Sequence, residues 1–172
     1  MGPRPINLIE VKSSSGKYVA CSKDMYAKAT VNGISTNCLI DSGSACSGIN
    51  VELFGQLSAE GMLDSKLLSA EARAFVLNGN REECFGHINL SVEIGPSKFE
   101  ANFWVFDMNP KLLVGRDLIS KHIIVIDVSN ARIMIGSLEI ALMETNPTNL
   151  AWAGEEGRQT RLEWIRQIRA KM

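Results

Sequence analysis

Cys38-Leu39-Ile40-Asp41-Ser42-Gly43-Ser44-Ala45 is the stretch on which the reading of this chain turns. Its apolar start reads as a buried strand, and that strand ends on a carboxylate followed at once by a hydroxyl and a glycine. An acid at a buried strand end is costly unless it is satisfied or used. Alone, Asp41-Ser42-Gly43 is most simply a turn whose Asp accepts backbone hydrogen bonds. About 70 residues later, Leu112-Leu113-Val114-Gly115-Arg116-Asp117-Leu118-Ile119 again runs an apolar segment into a glycine, just ahead of a short helix signal with Asp117 near its start. Two such segments, with a glycine-tipped hairpin between them, favour a shared site over two unrelated turns.

Working outward, short apolar runs broken about every 8 to 12 residues dominate residues 18–143, the rhythm of an all-β domain. Tyr26 to Val31 alternates, Asn32-Gly33 is a tight-turn dipeptide, and Ile34 to Ile40 returns, which predicts a hairpin. A second hairpin is predicted from Ile88–Ile94, the turn Gly95-Pro96-Ser97, and Phe99–Phe106. His122–Val128 and Arg132–Ile135 flank Ser129-Asn130, and Leu138–Met143 adds one more strand, for seven or eight in all. Val51–Leu57, Asp64–Leu68 and Gly115–Lys121 suit one or two helical turns each. Three regions follow: an N-terminal arm or linker (1–21, with the polar run Val11–Lys17), a β domain (22–144), and a C-terminal extension (145–172). The extension is expected to be helical from Arg158, with Leu162, Ile165, Ile168 and Met172 on one apolar face.

The composition narrows the function. The 172 residues are 45% apolar, enough for one domain with a core. Eighteen Lys+Arg against nineteen Asp+Glu give a net charge of −1, so no nucleic-acid or anionic-membrane partner is expected. No apolar run approaches the roughly 20 residues of a membrane span, and the opening lacks the plan of a secretory signal, so a cytoplasmic location is expected. Four cysteines, Cys21, Cys38, Cys46 and Cys84, form no CxxC pair and suit free thiols. His87 and His122 are isolated, so neither a metal nor a cofactor is expected.

The motifs Ile40-Asp41-Ser42-Gly43 and Leu113-Val114-Gly115-Arg116-Asp117 resemble those of retropepsins, the dimeric aspartic proteases of retroviruses and retrotransposons and their cellular relatives. The similarity covers roughly residues 22–143, and the D-S-G and Gly-Arg-Asp forms look more like retrotransposon enzymes, or the DNA-damage-inducible and skin-type cellular relatives, than like immunodeficiency-virus ones. The resemblance implies an all-β acid-protease half-barrel, closed by homodimerisation, with one or two short helices. Asp41 would be catalytic, in an active-site loop with Ser42, Gly43, Ser44 and Ala45. Ser42 would bond across the two-fold axis, and Gly43 would give the substrate backbone room. Gly115, Arg116 and Asp117 would support the loop. Phe75–Gly86 fits the family's flap, with Leu77, Asn78, Gly79 and Asn80 at its tip. Where viral enzymes follow the glycine with Ala-Asp, this chain has Ser44-Ala45, which deprives Arg116 of its expected partner. Ser44 matches the D-T-G-S form of pepsin-like enzymes, and its hydroxyl is expected to donate to the ionised dyad and lower the working pH.

The chemistry stands apart from the name. Hydrolysing a peptide without a metal or a nucleophilic side chain needs one group to deprotonate water and another to protonate the carbonyl, which two carboxylates sharing a proton can do. No second D-[ST]-G occurs in the sequence, so the second acid must come from another copy. The expected function is therefore a homodimeric aspartic endopeptidase acting on extended peptides, with polyprotein processing of the retrotransposon type, possible inside virus-like particles, as its setting. The alternatives are a domesticated cellular retropepsin, a dimerising peptide-binding module without activity, and a cysteine hydrolase built on Cys46 or Cys84. For a dimer, Leu138–Met143 and Pro5–Val11 are the candidate strands of an intersubunit sheet.

Overall fold

Alternation of inward and outward side chains builds this molecule. A computed structural model describes residues 10–12, 18–20, 25–63, 73–75, 81–143 and 155–171. Two short strands, β1 (Glu10–Lys12) and β2 (Tyr18–Ala20), pair antiparallel, so part of the stretch expected to be linker carries a β-ladder. The first hairpin forms as expected from β3 (Tyr26–Val31) and β4 (Ile34–Ile40). Asn32 and Gly33 turn it with φ of 44° and 90°, the left-handed pair that matches the twist of the strands. A three-residue strand β5 (Gly48–Asn50) runs straight into helix α1 (Val51–Ala59). Strand β6 (Arg73–Phe75) pairs with the start of β7 (Arg81–Ile94), which turns at Gly95-Pro96 into β8 (Ser97–Phe106). Then come β9 (Leu112–Val114), helix α2 (Arg116–Lys121), and the meander β10 (Ile124–Asp127), β11 (Arg132–Ile135) and β12 (Leu138–Ala141). Helix α3 (Glu155–Lys171) completes the described residues.

The strands pair in the order β3-β4-β9-β5-β8-β7, and β7 pairs back onto β3, so six strands close a barrel within one chain. Positions at period two line it: Ala27, Ala29 and Val31 from β3, Cys38 and Ile40 from β4, Ile88 to Ile94 from β7, and Phe103 and Val105 from β8. The intervening residues Tyr26, Leu39, Phe106 and Leu113 join Met108 in a second, smaller cluster. The short strands β5 and β9, which pair parallel with β8 and β4, are not legible in the sequence, because three residues carry no period.

Asn50 explains how a strand becomes a helix without an intervening loop. Its side-chain oxygen accepts from Leu53 N–H at 2.8 Å, capping α1, while its amide nitrogen donates to the Met108 carbonyl at 3.3 Å. The residue is fully buried, so both ends must be satisfied. Helix α3 packs against α1 with Trp164 over Gly55, where an added Cβ would stand 3.0 Å from the indole. Ile165 and Ile168 are buried as expected, but Leu162 is 42% exposed. Arg161 takes the buried position instead, with Nε 3.5 Å from Asp107 Oδ1. The segment 64–68, Met172 and the stretch Pro5–Ile9 lie outside the described residues.

Two outcomes are expected. Asn50→Ala removes a cap worth about 1 kcal/mol and leaves a buried carbonyl short of a donor, for a loss of about 2–3 kcal/mol in urea denaturation; a change below about 0.5 kcal/mol would contradict this account of α1. Asp127 accepts from Asn130 and Arg132, which hold its carboxyl below the usual carboxylate range. A depressed folded-state value adds stability above the unfolded pKa, and that stability is lost as pH falls through the folded value. Asp127→Asn should therefore flatten the stability–pH curve on its acid side, with thermal melts between pH 5 and 2 as the measurement.

Candidate active site

Strand β4 delivers Asp41 beside β9, and the Asp41 N–H continues their parallel ladder by donating to the Val114 carbonyl at 3.0 Å. Since Ile40 faces the barrel interior, the pleat puts Asp41 on the face that carries Leu39. There the acid borders an apolar cluster while its own side chain stays partly solvated. The chain then folds back on the carboxylate: Gly43 N–H donates to Asp41 Oδ1 at 2.9 Å and Ser44 N–H to the Asp41 carbonyl at 3.2 Å. One carboxylate oxygen is thus oriented by the loop itself. Ser42, Gly43 and Ala45 are exposed around it.

The second motif passes directly against this loop. Arg116 N–H donates to the Ser44 carbonyl at 2.8 Å. A Cβ added at Gly115 would stand 2.5 Å from the Cys46 carbonyl oxygen and 2.8 Å from that of Ser44, so only glycine lets the two backbones cross. Ser47 locks the crossing. Fully buried, it donates its hydroxyl to Asp117 Oδ1 at 2.6 Å, accepts from Gly115 N–H at 2.9 Å, and donates its own N–H to Asp117 Oδ2 at 3.0 Å. Asp117 also accepts from Leu118 N–H at 2.8 Å, in the first turn of α2 where a negative charge is favoured. The structure therefore brings together Asp41, Gly43, Ser44, Gly115, Arg116 and Asp117, and adds Ser47. Sequence reasoning missed Ser47; the one signal for it was a polar residue just before the apolar Gly48-Ile49.

Ser44 departs from expectation. Its hydroxyl donates to the Cys46 carbonyl at 2.8 Å, so in the single chain its proton is engaged in the loop and not directed at a carboxylate. The geometry gives Ser44 a role in shaping the turn. Arg116 is exposed and makes no ion pair among the described residues. Over the stretch expected to be a flap, β6 pairs antiparallel with the start of β7, Phe75 with Arg81 and Arg73 with Glu83. The expected tip residues Leu77, Asn78, Gly79 and Asn80 lie outside the described residues.

The thiols do not form a rival site. Cys46 and Cys84 are free and half-buried. Burial pushes the Cys46 thiol up, with further upward pressure from Asp117 and Cys84, and burial likewise raises Cys84. A nucleophilic cysteine needs the opposite shift. His87 lies beside Trp104, with ring centroids 5.1 Å apart, and His122 stacks on Phe99 at 4.7 Å.

No protein-family model and no curated protein sequence matches this chain. Solved structures do. The retroviral protease-like domain of Ddi1 from Leishmania major superposes with a TM-score of 0.58 at 20% identity, covering 73% of this chain and 98% of that one. EIAV protease in complex with the inhibitor HBY-793 matches at 0.47 and 16% identity, over 59% of this chain and 89% of its own. A retropepsin-like aspartic protease from Rickettsia conorii matches at 0.40 and 21%, over 69% and 82%. The likeness to the Ddi1 domain establishes a retropepsin-like fold.

The hydrogen-bond geometry ranks the loop's serines. Ser47→Ala strands a buried N–H and removes a bond to a carboxylate, costing about 1–3 kcal/mol, whereas Ser44→Ala, half-buried, should cost less than about 1 kcal/mol. Gly115→Ala should be the most damaging of the three, because the obstructing atoms are backbone. Chemical denaturation of the three variants measures the order, and a Ser44→Ala loss exceeding that of Ser47→Ala would reverse it.

Proposed function

We propose that this retropepsin-like chain is one half of a homodimeric aspartic endopeptidase, with Asp41 supplying one carboxylate of a shared pair. The observation that carries the reading is Asp41 itself: an acid at the end of a barrel strand, oriented by Gly43 N–H, on a loop clamped to the second motif through Gly115 and Ser47. Such outlay on the position of one carboxylate suits a group that must meet a substrate. In the dimer the two Asp41 carboxylates lie side by side and retain one proton between them, because two adjacent like charges cannot both ionise readily. The ionised member takes a proton from a water, whose oxygen attacks the peptide carbonyl carbon. The protonated member gives its proton to the carbonyl oxygen. Proton return to the amide nitrogen then lets the C–N bond break.

A second copy also suits the surface. Ile123, Val125 and Val128, which are 77%, 47% and 65% exposed, surround the outer edge strand β10. Ile123 holds φ of 51°, costly for a β-branched side chain. An open edge flanked by exposed apolar residues is a pairing surface, and a copy of this chain is the occupant that completes the site. Substrates would be extended, mostly apolar peptide segments, with polyprotein junctions of the retrotransposon type as the source and the β6–β7 arm closing over them.

The Ala45–Arg116 departure favours a second reading, a peptide-binding dimer without hydrolysis, and one experiment separates the two. Wild type should cleave an unstructured protein substrate with a rate that falls off steeply below the dimer dissociation constant, and Asp41→Asn should lose about a thousandfold or more in kcat while keeping its mass by sedimentation. Val125→Lys should shift the mass toward monomer and abolish cleavage at the same concentration. Equal turnover by wild type and Asp41→Asn removes the proposal; a dimer without cleavage at any pH from 3 to 8 leaves the binding module.

A further inference from the structure

Cys46 and Cys84 take no part in the proposed chemistry, yet the fold places both beside it. Alternation along β4 sends Cys38 into the barrel and Leu39 to the outer face that carries Asp41. On that face Cys46 and Cys84 pack against one small cluster with Leu39, Phe106, Met108 and Leu113. Strands β5 and β7 are the two neighbours of β8, so the thiols come to Phe106 from its two sides. Cys84 stands across the ladder from Phe106, just before the bulge at Phe85 where β7 changes register and Gly86 takes φ of 137°. Cys46 enters two residues ahead of Gly48, whose missing side chain leaves the space taken by Phe106 Cδ2 and Met108 Cε, 3.1 and 3.4 Å from where a Cβ would stand.

Both thiols are free and half-buried, within reach of a small reagent. Burial first, then Asp117 and the charge of Cys84, push the Cys46 thiol up, so the two sulfurs lie within electrostatic range of each other. A disulfide carries no charge and suits an apolar cluster better than either thiolate. Cys46 is also tied to the site through its backbone. Its carbonyl accepts from Ser44 Oγ at 2.8 Å and fills the space at Gly115 where the two motifs cross. A restraint on the Cys46 side chain therefore acts on the loop that orients Asp41. Cys38, fully buried inside the barrel, is on the wrong side of the sheet to take part.

We propose that Cys46 and Cys84 are an oxidisable pair whose disulfide ties the Asp41 loop to β7 and lowers turnover at Asp41. The oxidant is a low-molecular-weight disulfide of the glutathione class. One protein thiol loses its proton and attacks it, forming a mixed disulfide and releasing one small thiol. The second protein thiol then attacks the protein sulfur of that mixed disulfide, forming the Cys46–Cys84 bond and releasing the other small thiol. Two protons and two electrons leave the protein, and the small disulfide is reduced to two thiols. The effect on turnover rests on the proposed function; formation of the bond does not.

The full chain carrying Cys21→Ser, treated with glutathione disulfide while folded, tests this. A non-reducing peptide map should show Cys46 joined to Cys84 and Cys38 unmodified, and dithiothreitol should restore both thiols. Phenylarsine oxide, which bridges neighbouring thiols, should protect both from alkylation in the untreated protein, an arm that needs no further variant. Cys46→Ser and Cys84→Ser should each stop at the mixed disulfide of the remaining thiol. Separate glutathione adducts on Cys46 and Cys84 of one molecule, or two thiols that stay free, overturn the pair. If peptides are cleaved, oxidation should cut kcat/KM about tenfold or more, with recovery in dithiothreitol, while the Cys46→Ser/Cys84→Ser double variant should show the same rate before and after treatment. A bond that forms with the rate unchanged overturns the control of Asp41. A bond that forms in a protein that cleaves nothing keeps the pair and discards the proteolysis reading.

Discussion

Two backbones cross at Gly115 with no room for a side chain, and the organisation of the site follows from that contact. The carbonyls of Ser44 and Cys46 occupy the space where a Cβ would be. Because the crossing is so close, the N–H groups of Gly115 and Arg116 can reach the serines of the other loop, and Asp117 can reach Ser47. Pairing β4 with β9 brings the loops together, and β5 returning antiparallel to β9 keeps them there. Asp41 therefore protrudes from a place that is rigid on one side and open on the other.

The polar groups at the crossing are few and fully used. Among the described residues Ser47 and Asn50 are the two uncharged polar side chains that are fully buried, and both are bonded: Ser47 to Asp117 and Gly115 of the second motif, Asn50 to the first turn of α1 and the Met108 carbonyl. In a low-dielectric setting such bonds gain strength, and an unfilled one costs more than an apolar substitute. The same setting explains the thiols. Cys46 and Cys84 rest against the cluster of Tyr26, Leu39, Phe106, Met108 and Leu113, where burial pushes both thiols up from their ordinary range.

Around this centre the molecule carries elements that the barrel does not need for closure. The meander β10-β11-β12 packs Ile124, Ile133 and Leu142 into the core yet leaves Ile123, Val125 and Val128 in solvent. Helix α3 uses the groove along α1 and the bulge in β7. Both lie on chain that follows the second motif, so the region after Asp117 supplies surfaces while the region before it supplies the site.

The local pattern of the sequence determined the hairpins and the candidate acid. Strict alternation along Ile88–Ile94 and the Asn32-Gly33 turn leave few ways to fold, and Asp41-Ser42-Gly43 followed by Gly115-Arg116-Asp117 singles out the candidate site. The start of α1 was legible too, through Val51–Leu57, although its cap was not. Tertiary structure alone decided the rest. Gly48–Asn50 and Leu112–Val114 are too short to show a period, and they become strands only because neighbours supply hydrogen-bond partners. Ser44 and Ser47 look equivalent in the sequence, yet one shapes a turn and the other locks the crossing. The rotation of α3, which exposes Leu162 and buries Arg161, depends on Asp107 and Gly55, residues about 50 and 100 positions away. A pattern reports which side chains avoid water; which partner each one meets is a property of the assembled fold.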